Sequence, residues 1–197
     1  VETLGSVTVI CSDKTGTLTR NEMTVRDVVT AGRHYAVGGT GYEPHGAFSS
    51  ADGGNPAADR DLRRLLEIAA RCSTATVSPA PDGAGWRVVG DPTEGALMVA
   101  AMKGGVADRE PAPAAVFEIP FDSDRKRMSV VVRSAEGGRM LATKGAPESV
   151  LPRCSATQRG STDSGAPFVA SIRPPAASRA TTLMRLRAAS NGISKTA

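Results

Sequence analysis

Aromatic side chains are scarce: one Trp, two Tyr and four Phe make up 4% of the 197 residues. A core must therefore be assembled from Val, Leu, Ala and Ile, and each ring that does occur asks for a purpose. Cysteine is scarcer still. Cys11, Cys72 and Cys154 are widely spaced and odd in number, so they provide neither a CxxC metal pair nor a disulfide framework and fit a reducing cytosol. No window approaches the roughly 18 consecutive apolar residues that a membrane-spanning helix needs. No charged–apolar–small leader opens the sequence at Val1. Direct membrane insertion is therefore not expected, and a secreted miniprotein, a coiled coil and a collagen are excluded for this stretch.

Charge is modest and unevenly placed. The formal net charge is +4, with 24 Lys+Arg against 20 Asp+Glu, but residues 1–154 hold 18 basic and 19 acidic side chains. Residues 155–197 hold six basic residues and only Asp163. A basic patch interleaved with aromatics would point to nucleic acid. Phe168 is the only ring in that tail, so no nucleic-acid partner is expected. Twelve of the 43 tail residues are Ser or Thr and only seven are Leu, Ile, Val, Phe or Met. Such a composition buries too little apolar area to offset the entropy of ordering it. Residues 155–197 are expected to be a low-complexity basic tail, disordered or translated from a shifted reading frame of GC-rich DNA.

The rest of the chain carries regular patterns. Val7 to Cys11 is a β-branched run with the composition of a buried strand, and it leads into the polar segment Ser12 to Thr17. Met23–Thr30 and Arg33–Val37 read as strands paired across Ala31-Gly32, followed by a Gly- and Pro-rich loop over 38–58. Leu62, Leu65, Leu66 and Ala69 recur at helical spacing and predict a helix from Asp59 to Cys72. A loop over 78–85 leads to a strand at Trp86–Val89. Pro92 suits the first turn of a second helix that Gly104-Gly105 ends near Lys103. Val116–Ile119, Met128–Arg133 and Arg139–Thr143 look like strands, the last two joined by a tight turn at Glu136 to Gly138. Ala146-Pro147 opens a short third helix. This order predicts an α+β fold with a largely antiparallel sheet flanked by helices.

Four segments carry chemistry. Asp13-Lys14-Thr15-Gly16-Thr17 places a carboxylate nucleophile beside a cation and a turn able to aim amides and hydroxyls at phosphate oxygens. Gly90-Asp91-Pro92-Thr93-Glu94 places a carboxylate in the first turn of a helix; on its own this is also an ordinary capping arrangement. Phe121, just before Arg125-Lys126-Arg127-Met128, offers a ring on which a base can stack, and equally reads as a core residue beside a solvated strand end. Lys144-Gly145-Ala146-Pro147 sits where a strand gives way to a helix.

Taken together, and with Val1 to Gly5 and Asn21 to Val25 flanking the first segment, these motifs resemble P-type ATPases, the cation pumps that form an aspartyl-phosphate. Thr15 stands where related haloacid-dehalogenase-type phosphatases carry a second Asp, which favours a long-lived acyl phosphate over rapid hydrolysis. The length of chain between Asp13 and Lys144, and the Phe121 segment, resemble the type II group of calcium and sodium pumps; neither His34 nor His45 precedes a Pro, as a heavy-metal pump would require.

The resemblance implies a division into residues 1–24, an N-terminal piece of the phosphorylation domain with one strand of an incomplete haloacid-dehalogenase-like α/β fold, and residues 25–154, a nucleotide-binding domain. It implies ATP and Mg²⁺ as cofactors, with Asp13, Lys14 and Thr15 catalytic and Asp13 and Thr15 holding part of the Mg²⁺ site. Glu94 would accept from the adenine amino group, Phe121 would stack on the base and Lys126 would lie near the phosphates. Met128 and Lys144 would wall the pocket, and Gly145 would admit close approach of the ligand. The implied location is the cytoplasmic portion of a membrane protein, which alone would handle the transported cation. The resemblance is expected to end near residue 154, and no Thr-Gly-Asp or Gly-Asp-Gly-x-Asn-Asp segment follows Lys144. Phosphoryl transfer depends on positioning, so little or no ATP hydrolysis is expected from this chain by itself. The alternative is a stand-alone adenine-nucleotide-binding module or a decayed gene product without catalysis. One ring, one carboxylate and two lysines on an open surface imply a dissociation constant from high micromolar to millimolar, on the order of −4 to −6 kcal/mol.

Overall fold

The computed structural model describes residues 22–30, 33–81, 83, 85–107, 115–133 and 138–153, and the backbone alone of 168–172 and 183–188. The Val7–Cys11 run, Asp13 to Thr17 and most of the Glu136 to Gly138 turn lie outside these residues.

Strands β1 (Met23–Thr30) and β2 (Arg33–Val37) form the expected antiparallel pair, with Thr30 opposite Arg33. Val25 and Val28 both face the core although they are three residues apart, because the register shifts between Val25 and Asp27 and resets the alternation; Tyr35 and Val37, two apart on β2, join them. The Gly-rich loop expected over 38–58 is less irregular than its composition implies. Strand β3 (Phe48–Ser50) pairs with the outer edge of β2, and a single 3₁₀ turn forms at Pro56–Ala58. Glycine makes this return possible: Gly46 has φ +143, and a Cβ there would sit 2.4 Å from the Gly38 carbonyl oxygen.

Helix α1 (Arg60–Arg71) presents Leu62, Leu65, Leu66 and Ala69 inward as its spacing requires. Its N-cap is Asp59, whose Oδ1 accepts from the backbone N–H groups of Asp61 at 2.8 Å and Leu62 at 3.0 Å. The other oxygen, Oδ2, accepts from the fully buried Tyr35 hydroxyl and from Arg33 Nη1 at 3.2 Å. Strand β4 (Thr76–Pro79) follows and pairs with β5 (Trp86–Val89), so the loop expected from residue 78 begins two residues later.

Helix α2 (Pro92–Lys103) has apolar residues on every side and is correspondingly enclosed, packing on α1, β1 and the β4–β5 ribbon. Gly95 lets it lie against β5, since a Cβ there would fall 2.5 Å from Val88 Cγ1. Strands β6 (Phe117–Asp122), β7 (Arg127–Arg133) and β8 (Arg139–Gly145) form a second antiparallel sheet, followed by the short helix α3 (Pro147–Val150). β6 runs three residues further than its sequence implies and contains Pro120, which an edge strand tolerates because one side of its ladder is open.

Two strands lie in the segment expected to be disordered. β9 (Phe168–Ile172) pairs with β8, and β10 (Leu183–Ala188) pairs with β1, both antiparallel. The physical reason is that β1 and β8 would otherwise present open edges, whose backbone groups need partners whatever the side chains alongside. Short apolar runs suffice for such pairing, and an average over 43 residues conceals them. The rest of the tail lies outside the described residues.

One core joins these layers. Val25 and Val28 of the first sheet, the inner faces of α1 and α2, and Met128, Val130, Val132, Met140 and Ala142 of the second sheet belong to the same buried cluster. The fold is therefore α+β, with mostly antiparallel sheets and a few helices. Among the described residues no helix is long and apolar enough to cross a membrane.

Candidate functional site

Three elements end at one place. The first turn of α2 carries Glu94, the last residues of β8 carry Lys144, and the exit of α1 carries Thr74 and Ala75. Lys144 Nζ donates to Glu94 Oε1 at 2.5 Å, with both side chains nearly nine-tenths buried. Glu94 Oε2 accepts from Thr74 N at 2.7 Å, Thr74 Oγ1 at 2.8 Å and Ala75 N at 3.1 Å. Burial by itself would raise the Glu94 carboxyl; the hydrogen bonds from Lys144 and Thr74 outweigh it and hold the group below its ordinary value. Glu94 is thus a carboxylate that only accepts.

Gly90 brings these parts together. It has φ +122, and a Cβ there would stand 3.0 Å from both Cα and Cβ of Ala75. Only glycine lets the β5–α2 turn approach the α1 exit so closely.

The sheet supplies the ring. Met128 of β7 lies opposite Lys144 of β8, so the two share a face. Between β6 and β7 the register slips by one residue, with Ile119 opposite Ser129 and Asp122 opposite Arg127. Pro120 and Phe121 consequently share one partner position, that of Met128, and the bulge turns Phe121 toward the face of Met128 and Lys144. Without it Phe121 would point to the other side. Two strand spacings separate Phe121 from Lys144, about 10 Å between backbones. Phe121 is 62% exposed, which excludes the core role that its sequence allowed.

The remaining predicted residues are divided. Met128 belongs to the core and forms the floor beneath this end of the sheet. Lys126 closes the β6–β7 turn at φ +50 and pairs through Nζ with Glu148 at 3.0 Å, both exposed. Gly145 does make a close approach, but to protein: a Cβ there would sit 2.4 Å from the Lys126 carbonyl oxygen and 2.5 Å from Arg127 Cβ. Its missing side chain serves the packing of β7 on β8. Asp13, Lys14 and Thr15 lie outside the described residues. Among the described residues no group of His, Cys, Asp and Glu is arranged to hold a metal. A separate cavity of about 350 Å³, lined in part by Phe48, Leu62, Leu66 and Lys103, lies at the opposite end of α2 and contains none of the motif residues.

A family model described as "P-type ATPase, cytoplasmic domain N" matches residues 61–178. The chain belongs to this family. The match includes Glu94, Phe121 and Lys144, and it continues past residue 154, where the sequence resemblance was expected to stop. The chain is similar to the calcium-transporting ATPase of Bacillus subtilis, 42% identical over 158 residues that cover 79% of this chain and 18% of the relative. It is similar also to the cation-transporting ATPase pma1 of Synechocystis, 41% identical over 168 residues (78% of the chain, 18% of the relative). With the endoplasmic reticulum calcium ATPase srcA of Aspergillus fumigatus it shares 38% identity over 186 residues (79% and 19%). The chain spans under a fifth of the length of these relatives.

Within this P-type ATPase N domain, two features were not read from the sequence. Thr74, in an unremarkable Ser73-Thr74-Ala75 stretch, gave no periodic or motif signal; its role depends on where α1 ends relative to α2. The bulge at Phe121 was equally silent, although Pro120 inside an apolar run is the residue that signals a departure from regular pairing.

Proposed function

We propose that this chain is the ATP-binding cytoplasmic portion of a cation-translocating P-type ATPase of the calcium-pump-like type II group, in which Asp13 forms an aspartyl-phosphate. The observation that carries the reading is the juxtaposition of the Glu94–Lys144 pair with an exposed Phe121 on the same end of one sheet. A purine needs a flat apolar surface and in-plane hydrogen-bond partners, and a base–ring stack contributes about 1–3 kcal/mol. Phe121 supplies the surface. Glu94 Oε1 accepts from an exocyclic amino group, while Lys144 lines the pocket and Met128 closes it from below. Lys126, on the exposed turn beyond Phe121, lies toward the phosphates by exchanging its contact with Glu148.

In the same reading Asp13 is the nucleophile, Lys14 offsets charge on the transferring group, and Asp13 and Thr15 contribute to a Mg²⁺ site that other parts of the parent protein complete. Magnesium supplies charge neutralisation at the phosphates. Residues 1–24 belong to the phosphorylation domain and 25–154 to the nucleotide-binding domain. Residues 155–197 form a basic tail that adds edge strands. The parent protein sits in a membrane with this portion in the cytoplasm, and ion translocation belongs to the parent. The relatives' names, calcium-transporting and cation-transporting, support a cation as cargo.

Titration of the full chain with ATP, followed by calorimetry and Trp86 fluorescence, tests the reading. Saturable binding with a dissociation constant from about 100 μM to millimolar is expected; no binding at several millimolar would overturn it. Incubation with terminally labelled ATP and Mg²⁺ is expected to leave the isolated chain unlabelled. The composition shift after residue 154 favours one alternative, a decayed or stand-alone nucleotide-binding module. Hydroxylamine-sensitive label on wild type but not on Asp13→Asn would exclude that alternative.

A further inference from the structure

We infer that Thr74 is the positioning residue that makes the site read the 6-amino group of the purine, by fixing which oxygen of Glu94 the base meets. The inference rests on the adenine-nucleotide reading above and adds to it the source of base selectivity.

The two oxygens of Glu94 are unequally occupied. Glu94 Oε2 receives three donors, Thr74 N, Thr74 Oγ1 and Ala75 N, all within 3.1 Å. Its acceptor capacity is used up by the protein. Among the described residues Oε1 receives one donor, Lys144 Nζ, and keeps a lone pair. A ligand amino group therefore has one oxygen to address, and the carboxylate cannot rotate to present the other without breaking three hydrogen bonds. Two of the three come from backbone and persist in any variant. The third comes from the Thr74 hydroxyl at 2.8 Å and adds to the resistance against rotation about the last Glu94 torsion, which is otherwise broad.

The same geometry explains why the contact discriminates. A carboxylate held ionised only accepts, and so does the O6 of a 6-oxo purine, which therefore loses the hydrogen bond that a 6-amino group makes to Oε1. Thr74 is exposed, so its side chain is not required by the core and can be changed without disturbing the fold. Neither Cys72, buried one turn away at the end of α1, nor the Lys103 cavity at the far end of α2 offers an equivalent arrangement of donors around a carboxylate.

The test compares ATP with inosine triphosphate, which differs at the 6-position, on the full chain. Wild type is expected to bind ATP more tightly by about five- to tenfold. Thr74→Val should weaken ATP about three- to tenfold, a part of the worth of the hydrogen bond to a charged group that it positions, while inosine triphosphate changes by less than about twofold. Thr74→Ser, which keeps the hydroxyl, should restore the wild-type ratio. An equal loss for both nucleotides in Thr74→Val would assign Thr74 a merely structural role and overturn the inference. No change in the affinity for either nucleotide in that variant would overturn it as well. If wild type binds both nucleotides equally, it is the Glu94–adenine contact itself that fails, an outcome distinct from the other two.

Discussion

Helices α1 and α2 have the same length, 12 residues, and begin the same way, with an Asp N-cap holding two backbone amides of the first turn. Their carboxylates nevertheless end in different situations. Asp59, at the head of α1, spends Oδ1 on the cap and Oδ2 on the buried Tyr35 hydroxyl and Arg33. At the head of α2 the two tasks are separated: Asp91 caps, and Glu94 one turn on is free to face Lys144 and Thr74. A carboxylate whose partners all come from the fold is structural. One that retains a lone pair beside an exposed ring is available to a ligand.

The contrast is sharpened most by removing Asp59. Asp59→Ala deletes a cap, about 0.5–2 kcal/mol, and leaves the Tyr35 hydroxyl buried without its acceptor, about 1–3 kcal/mol. Urea unfolding should show a loss of about 2–4 kcal/mol, with ATP affinity of the remaining folded protein unchanged. Phe121→Ala should do the opposite. The exposed ring contributes little to stability, within about 0.5 kcal/mol, and its loss should weaken ATP binding by about 1–3 kcal/mol in calorimetry. If Phe121→Ala lowers stability and leaves ATP affinity intact, Phe121 is a structural residue and not the surface on which the base stacks.

Gly90→Ala is predicted to touch both quantities. A side chain at φ +122 is strained, about 1–3 kcal/mol, and it meets Ala75 at 3.0 Å, so the Glu94 contact with Ala75 N must lengthen. A modest stability loss together with weaker ATP binding is expected; stability loss alone would separate Gly90 from the site. The smallest effect concerns pH. Burial opposes ionisation of both carboxyls, yet Tyr35 and the α1 amides lower Asp59, and Lys144 and Thr74 lower Glu94. A depressed carboxyl stabilises the fold above its unfolded pKa, and that contribution is lost as pH falls through the folded value. The gap in unfolding free energy between wild type and Glu94→Gln should therefore be widest near neutrality and narrow as pH drops below the ordinary glutamate range. A gap independent of pH would contradict the ion pair.

How much of this was legible in sequence follows from the range of each signal. Local periodicities were readable: Leu62, Leu65, Leu66 and Ala69 announce α1, Pro92 and Gly104 bracket α2, and the β1–β2 and β7–β8 pairs stand close to where alternation puts them. Glu94, Phe121 and Lys144 were identified by motif, and the fold brings their elements to one end of a sheet. Features that depend on distant edges were not readable. β3, β9 and β10 exist because β2, β8 and β1 have open backbone edges, which no property of Phe48–Ser50 or Leu183–Ala188 declares. Gly145 was singled out for a ligand's approach, and the requirement that the fold adds, close contact with the neighbouring strand, was not readable either. Met128, expected to help wall the pocket, also belongs to the core cluster, where a long apolar side chain opposite a lysine stem fits.

The most direct test of the central claim is a chemical-shift map of the full chain titrated with ATP. The account predicts that the largest changes fall on Thr74, Ala75, Glu94, Phe121 and Lys144, leave Phe48 and Lys103 at the opposite end of α2 unmoved, and shrink in Phe121→Ala. Changes centred on the Lys103 cavity, or none at all up to several millimolar, would contradict it.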